Sequence, residues 1–166
     1  QVTVSPVQVA VTINKGNQTT RTILESGKFS ATVLAESASM ELIGRFGFQC
    51  SRDVDKFAGF AWARDINGVP YVTEQCAARF ACTVVNEVDL GTHILFVARV
   101  DDWAVLDDVP QMTYDYYHAV KKGLTPPKAS SYRPPEEKVT GWRCTVCGYI
   151  YEGEALPANY KCPICG

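Results

Sequence analysis

Apolar and polar side chains alternate in several stretches of the first hundred positions. Val7, Val9, Val11 and Ile13 are interleaved with Gln8, Ala10 and Thr12, the two-residue period of a half-buried strand. Phe29, Ala31 and Val33 form one face of a second such stretch. Phe80, Cys82 and Val84 form a third, and Ile94, Phe96, Ala98 and Val100 a fourth. The turn signal Asp89-Leu90-Gly91 between the last two predicts an antiparallel hairpin. Asn14-Lys15-Gly16-Asn17 turns the chain after the first stretch. Thr19 or Thr20 can then cap a short helix running through Ile23 and Leu24 to Gly27. Ser39 followed by Met40-Glu41-Leu42-Ile43, and ending at Gly47, reads as another short helix, with a polar loop from Gln49 to Lys56 beyond it. Many strands and few helices argue for a mainly β fold with a closed or sandwich-like core. No G-x-G-x-x-G follows a strand, so any nicotinamide has to bind without a Rossmann site.

The pattern changes after Gly123. Thr125-Pro126-Pro127 to Tyr132-Arg133-Pro134-Pro135 reads as a linker stiffened by polyproline geometry. The expected division is therefore 1–124 as a β domain, 125–138 as linker and 139–166 as a small terminal lobe. At 166 residues the chain is long enough for one sizeable core and one such lobe. A net charge of −2 without a basic block gives no electrostatic support for binding nucleic acid or an acidic membrane surface, and no apolar run is long enough to span a bilayer.

Four of the seven cysteines stand in the terminal lobe as Cys144-Thr145-Val146-Cys147-Gly148 and Cys162-Pro163-Ile164-Cys165-Gly166. Two C-x-x-C-G knuckles bring four thiolates to the tips of two tight turns, a tetrahedral sulfur set suited to one iron or to Zn²⁺. Cys50, Cys76 and Cys82 remain, an odd number that reads as small core or surface residues. Free thiols beside a thiolate metal site point to a reducing compartment, expected to be the cytoplasm. The chain opens on Gln1 and stops on the last knuckle glycine, so both ends are expected to be incomplete.

Trp142, Gly148-Tyr149-Ile150-Tyr151 and the later Cys162-Pro163-x-Cys165-Gly166 make the lobe resemble the rubredoxin family, with an abbreviated loop between the knuckles. That resemblance implies one iron held by Cys144, Cys147, Cys162 and Cys165, with a structural zinc ribbon as the alternative. A second resemblance covers the rest. Val7 to Lys15, then Asn17-x-Thr19, Gly47-Phe48-x-x-Ser51-Arg52-Asp53-Val54-Asp55-Lys56-Phe57 and Gly91-Thr92-His93 are similar to flavin reductase-like proteins, a family that includes members with a C-terminal rubredoxin. It implies an FMN-binding split β-barrel with short helices, plus a small rubredoxin-like metal-knuckle domain.

Carried over by position, the resemblance places Asn17 and Thr19 on the FMN phosphate, with Asn14 and Lys15 flanking that turn as further cofactor-binding candidates. It places Arg52, Lys56 and Phe57 on a second flavin-contacting loop, and His93 as the catalytic candidate near flavin and nicotinamide. The function so implied is oxidoreduction, with electrons taken from NAD(P)H by FMN, passed to an iron tetrathiolate and delivered to a partner such as a flavodiiron O2 or NO reductase, in a homodimer. The alternatives are a non-enzymatic FMN and iron carrier fed by a separate reductase, and a split-barrel scaffold with a structural zinc ribbon.

Overall fold

The computed structural model describes residues 1–132, 141–153 and 155–166. The linker positions Arg133, Pro134 and Pro135 lie outside the described residues. The chain divides into two compact units, Gln1–Ala38 with Phe57–Thr113, and Ser39–Lys56 with Tyr114–Gly166.

In the first unit, strands β1 (Thr3–Val4), β2 (Val7–Asn14), β3 (Lys28–Leu34), β6 (Cys76–Asp89) and β7 (His93–Val105) form one antiparallel sheet in the order β1-β2-β7-β6-β3. The alternating positions read from the sequence line its apolar face. Phe29, Cys82, Phe96 and Ala98 are buried together with Ile23 of helix α1 (Gln18–Ser26), and Val9, Val11, Ile13, Ala31, Phe80, Val84, Ile94 and Val100 pack around them. The β6–β7 hairpin is longer than its alternation suggests because bulges between Ala81 and Cys82 and between Val84 and Asn86 break the two-residue period. At the first, β7 carries the extra residue, Asp101, between Val100 and Asp102; at the second, β6 carries Val85.

Helix α1 begins two or three residues earlier than expected. Asn17 occupies the N-cap position without a side-chain cap bond. Thr20 lies within the helix, buried, its hydroxyl donating to the Asn14 carbonyl at 2.8 Å. The terminus is thus fixed by the β2 end rather than by a threonine cap. Gly27, at φ +66°, ends the helix as expected, its amide bonding the Ile23 carbonyl.

A short hairpin, β4 (Trp62–Arg64) with β5 (Pro70–Val72), completes the first unit. Its connecting turn is organised by Asp65, whose Oδ1 accepts from the amides of Asn67 and Val69, both at 2.9 Å. Asn67 then donates to Asp101 of β7 at 2.8 Å, and Thr83 of β6 donates to the same carboxylate oxygen at 2.5 Å.

The second unit holds helix α2 (Met40–Gly47), helix α3 (Tyr114–Ala119) and the two-stranded ribbon β8 (Trp142–Arg143) with β9 (Ile150–Tyr151). Ser39 caps α2 by accepting from the Leu42 amide at 3.1 Å. The loop after α2 folds back on the helix end. Arg45 donates to the Asp55 carbonyl at 3.1 Å and Lys56 to the Phe46 carbonyl at 2.9 Å. Among the described residues no helix is long and apolar enough to cross a membrane.

Candidate redox site

The metal centre is assembled by the two knuckles. Each ends in a glycine at positive φ, +81° at Gly148 and +92° at Gly166. Their amides return to the carbonyls of Cys144 at 3.0 Å and Cys162 at 2.9 Å, closing each turn under its two sulfurs. The Cys144 amide bonds the Tyr149 carbonyl at 2.7 Å, which joins the first knuckle to the ribbon. Rings of Tyr151 and Tyr160 pack at 4.9 Å on the inter-knuckle loop.

The four Sγ atoms of Cys144, Cys147, Cys162 and Cys165 lie within 4.8 Å of one another, with Cys144–Cys165 and Cys147–Cys162 each at 3.5 Å. A four-coordinate centre with metal–sulfur bonds of about 2.3 Å has sulfur–sulfur edges of about 3.8 Å, so the donor set fits one iron or zinc with small adjustments. Burial works against ionising Cys144, yet the backbone amides of Cys147 and Val146 bring its thiol down to about 7. Burial pushes Cys147 up to about 12 and also raises Cys165. Four sulfurs this close become thiolates together only around a cation, which is the property expected of a metal site rather than of a redox dithiol.

The flavin-side positions of the first unit meet where β2 and β7 end. Asn14, the last residue of β2, pairs with His93, the first of β7, and the Lys15 amide bonds the Thr92 carbonyl at 3.0 Å. The Asn14 side chain accepts from the Gly16 amide at 2.9 Å, and the Asn17 amide bonds the Asn14 carbonyl at 3.0 Å. His93 Nδ1 is 2.8 Å from the Thr92 hydroxyl. Lys15 reaches Asp89 at 2.6 Å, and this ammonium, with the Gly91 amide, holds the Asp89 carboxyl below its usual range.

Asn17 and Thr19 are exposed at the start of α1, whose first turn carries no acidic residue. Amides, an amide side chain and a hydroxyl without a carboxylate form a donor set that suits a phosphate. Phe57 packs against Trp62 of β4, ring centroids 5.6 Å apart and tilted by 50°. Trp62 was not singled out by the sequence, although a tryptophan after the expected flavin loop was the signal available.

Arg52 and Lys56 belong to the second unit. Lys56 is engaged by the Phe46 carbonyl and lies 5.9 Å over the Phe46 ring, and burial lowers its pKa. The Arg52 amide and guanidinium hold the Cys50 thiol below its ordinary value. Cys76 and Cys82 are buried, and burial pushes each up to about 11, as befits small core residues.

Two residues that sequence reasoning did not reach touch the second knuckle. Gly44 of α2 faces it so closely that a Cβ there would overlap the Ile164 carbonyl oxygen, and Gln49 donates to the Cys165 carbonyl at 3.1 Å. Neither carries a local sequence signal, because the contact is tertiary.

Residues 1–124 match the family "Flavin reductase like domain", and residues 142–166 match "Rubrerythrin, rubredoxin-like domain". The high molecular weight rubredoxin of Moorella thermoacetica is 37% identical over 187 aligned positions, covering 100% of this chain and 82% of that protein. The ferric-chelate reductase (NAD(P)H) of Archaeoglobus fulgidus is 46% identical over 132 positions, covering 80% of this chain and 78% of that protein. Among solved structures, an FMN-binding protein from Thermus thermophilus superposes with a TM-score of 0.57 at 25% identity, over 63% of this chain and 58% of its own. The chain thus spans less than two thirds of that solved relative. A flavin reductase domain followed by a four-cysteine knuckle domain is the composition of an oxidoreductase that transfers electrons from flavin to a thiolate-bound metal. The chain belongs to the flavin reductase-like family and carries a rubredoxin-like domain behind it.

Proposed function

We propose that the protein oxidises NAD(P)H with FMN and delivers the electrons, one at a time, through iron at Cys144, Cys147, Cys162 and Cys165 to a redox partner. The observation that carries this reading is the four-sulfur cluster within 4.8 Å on a chain whose other domain is of the flavin reductase family. When bound, flavin supplies the exchange between two-electron hydride chemistry and single electrons, and an iron tetrathiolate supplies one-electron cycling with little rearrangement.

The chain's own residues bind and orient. The start of α1, with Asn17 and Thr19, is assigned the FMN phosphate, and Lys15 joins it by exchanging its contact with Asp89. Phe57, braced by Trp62, gives the isoalloxazine an apolar wall. Arg52 and Lys56 supply cationic groups on the second loop. His93, paired with Asn14 and hydrogen-bonded to Thr92, is assigned the role of catalytic residue beside flavin and nicotinamide. We assign residues 1–124 to flavin binding and 139–166 to the metal.

A homodimer is part of the proposal. Several residues on the apolar face of the sheet are only half-buried within one chain, and Trp103 and Val105 at the far end of β7 are 65% and 64% exposed. A second copy would cover them. Three free thiols, Cys50, Cys76 and Cys82, beside a thiolate metal site favour a reducing compartment such as the cytoplasm. The final acceptor is proposed to be a flavodiiron-type protein. The similarity to a ferric-chelate reductase favours a second reading, in which a soluble ferric chelate takes the electrons.

The test is anaerobic mixing of the purified protein with NADH or NADPH while flavin and ferric-thiolate bands are followed separately. Sequential bleaching of both bands supports the reading. Flavin bleaching without iron reduction refutes transfer to the metal. No bleaching by either nucleotide leaves a carrier fed by another reductase, and absence of ferric-thiolate bands leaves a zinc ribbon.

A further inference from the structure

The second metal knuckle is contacted by a segment far from it in sequence but in the same compact unit. The structure shows what stands around it. Helix α2 lays its backbone directly on the second knuckle at Gly44, where any side chain would collide with the Ile164 carbonyl. Gln49, in the loop after α2, donates to the Cys165 carbonyl at 3.1 Å, and its Nε2 lies 3.3 Å from the position a Cβ would take on Gly166. The segment making these contacts is braced. Ser39 caps it, Arg45 and Lys56 tie the loop back to the helix, and the amides of Asp53 and Val54 both return to the Cys50 carbonyl.

We infer that Ser39–Lys56 is a built-in seat for the second metal knuckle, with Gly44 and Gln49 as positioning residues of the four-cysteine centre. The seat walls the second knuckle at Ile164, and Gln49 sets the orientation of the Cys165 peptide. Metal binding and the order of the seat are therefore one equilibrium: whatever loosens the seat loosens the metal, and removing the metal loosens the seat. The inference rests on reading the four thiols as a metal site. It is independent of where the electrons come from.

The same helix provides an internal control. Gly47 has open space where its Cβ would be, whereas Gly44 has none. In the full chain loaded with iron, Gly44→Ala should accelerate amide exchange at both Leu42–Gln49 and Cys162–Gly166 by about tenfold or more, and transfer of metal to a competing chelator by a similar factor. Gly47→Ala should change neither. Gln49→Leu, which keeps the size and removes the donor, should leave metal stoichiometry intact while moving the reduction potential of the iron to a more negative value.

Wild-type exchange and metal release in Gly44→Ala, or equal effects of Gly44→Ala and Gly47→Ala, would overturn the seat. If Gly44→Ala does not fold, Gln49→Leu decides: an unmoved potential and unmoved exchange sink the inference. Failure of the wild type to oxidise NAD(P)H would refute the proposed electron source and leave these exchange and chelation results standing.

Discussion

Asp101 offers a quantitative test of how the flavin side is held. Its side chain is 11% exposed and accepts from Thr83 at 2.5 Å, Asn67 at 2.8 Å and Arg99 at 2.7 Å. Asn67 belongs to the turn of the β4–β5 hairpin, so this carboxylate pins to β6 and β7 the hairpin that carries Trp62 against Phe57. The perturbation is Asp101→Ala. The two part-buried bonds to an ionised acceptor are worth about 1.5–3 kcal/mol each. The Arg99 pair is half exposed and adds about 0–1 kcal/mol. Because the three share one carboxylate they are not additive, and a loss of about 3 kcal/mol at pH 7 is expected. Asp101→Asn keeps an acceptor without the charge and should lose about half as much.

The pH dependence gives a second handle. Burial opposes ionisation of Asp101, but the hydrogen bonds from Thr83, Asn67 and Arg99 outweigh it and hold the carboxyl below the usual carboxylate range. A depressed native pKa stabilises the fold above the unfolded value of about 3.9, and the contribution fades as pH falls toward the native pKa. Urea denaturation followed by circular dichroism, at pH 7 and again at pH 3, measures both effects. The gap between wild type and Asp101→Ala should narrow at pH 3. A gap below about 1 kcal/mol at pH 7, or one equally wide at both pH values, would refute this account of the network.

Cys162→Ser should abolish stoichiometric iron and its visible bands, read by metal analysis and absorption, while flavin reduction by NAD(P)H persists. Loss of bound flavin to the same degree as iron would contradict the division of labour between the domains. Trp103→Glu should convert the proposed homodimer to monomer in sedimentation, since a buried tryptophan at an interface is commonly worth about 2 kcal/mol or more; a monomeric wild type would refute the dimer, and an unchanged dimer would place the interface elsewhere.

What the sequence disclosed follows from the range of the physics. Alternation marks residues that share a face, so β2, β3, β6 and β7 and most of the core could be read from it. The four metal-ligating cysteines could be read because metal ligation imposes a spacing that few other functions require. Ser39 was legible as a cap because its bond to the Leu42 amide is local. The start of α1 was not, because Thr20 satisfies its hydroxyl on Asn14, six residues back, rather than at the helix end. β4 and β5 have three residues each, too few to show a period, and α3 has only six, fewer than two helical turns. Bulges leave no mark in composition. Gly44 and Gln49 gain their meaning only from a knuckle more than a hundred positions away in the chain.

That separation has a consequence for biogenesis. Gln49 and Cys165 are 116 residues apart. At about 5–20 residues per second, the ribosome makes helix α2 about 6–23 s before its partner knuckle exists. During that interval the helix must wait with its contact surface uncovered, and a contact of such high sequence separation closes late and slowly. The strong N-cap at Ser39 and the clasps from Arg45 and Lys56 are local, so they are available throughout the wait. Iron supply would then act as a folding checkpoint, with nascent chains starved of metal exposing the Met40–Gly47 helix to proteases and chaperones.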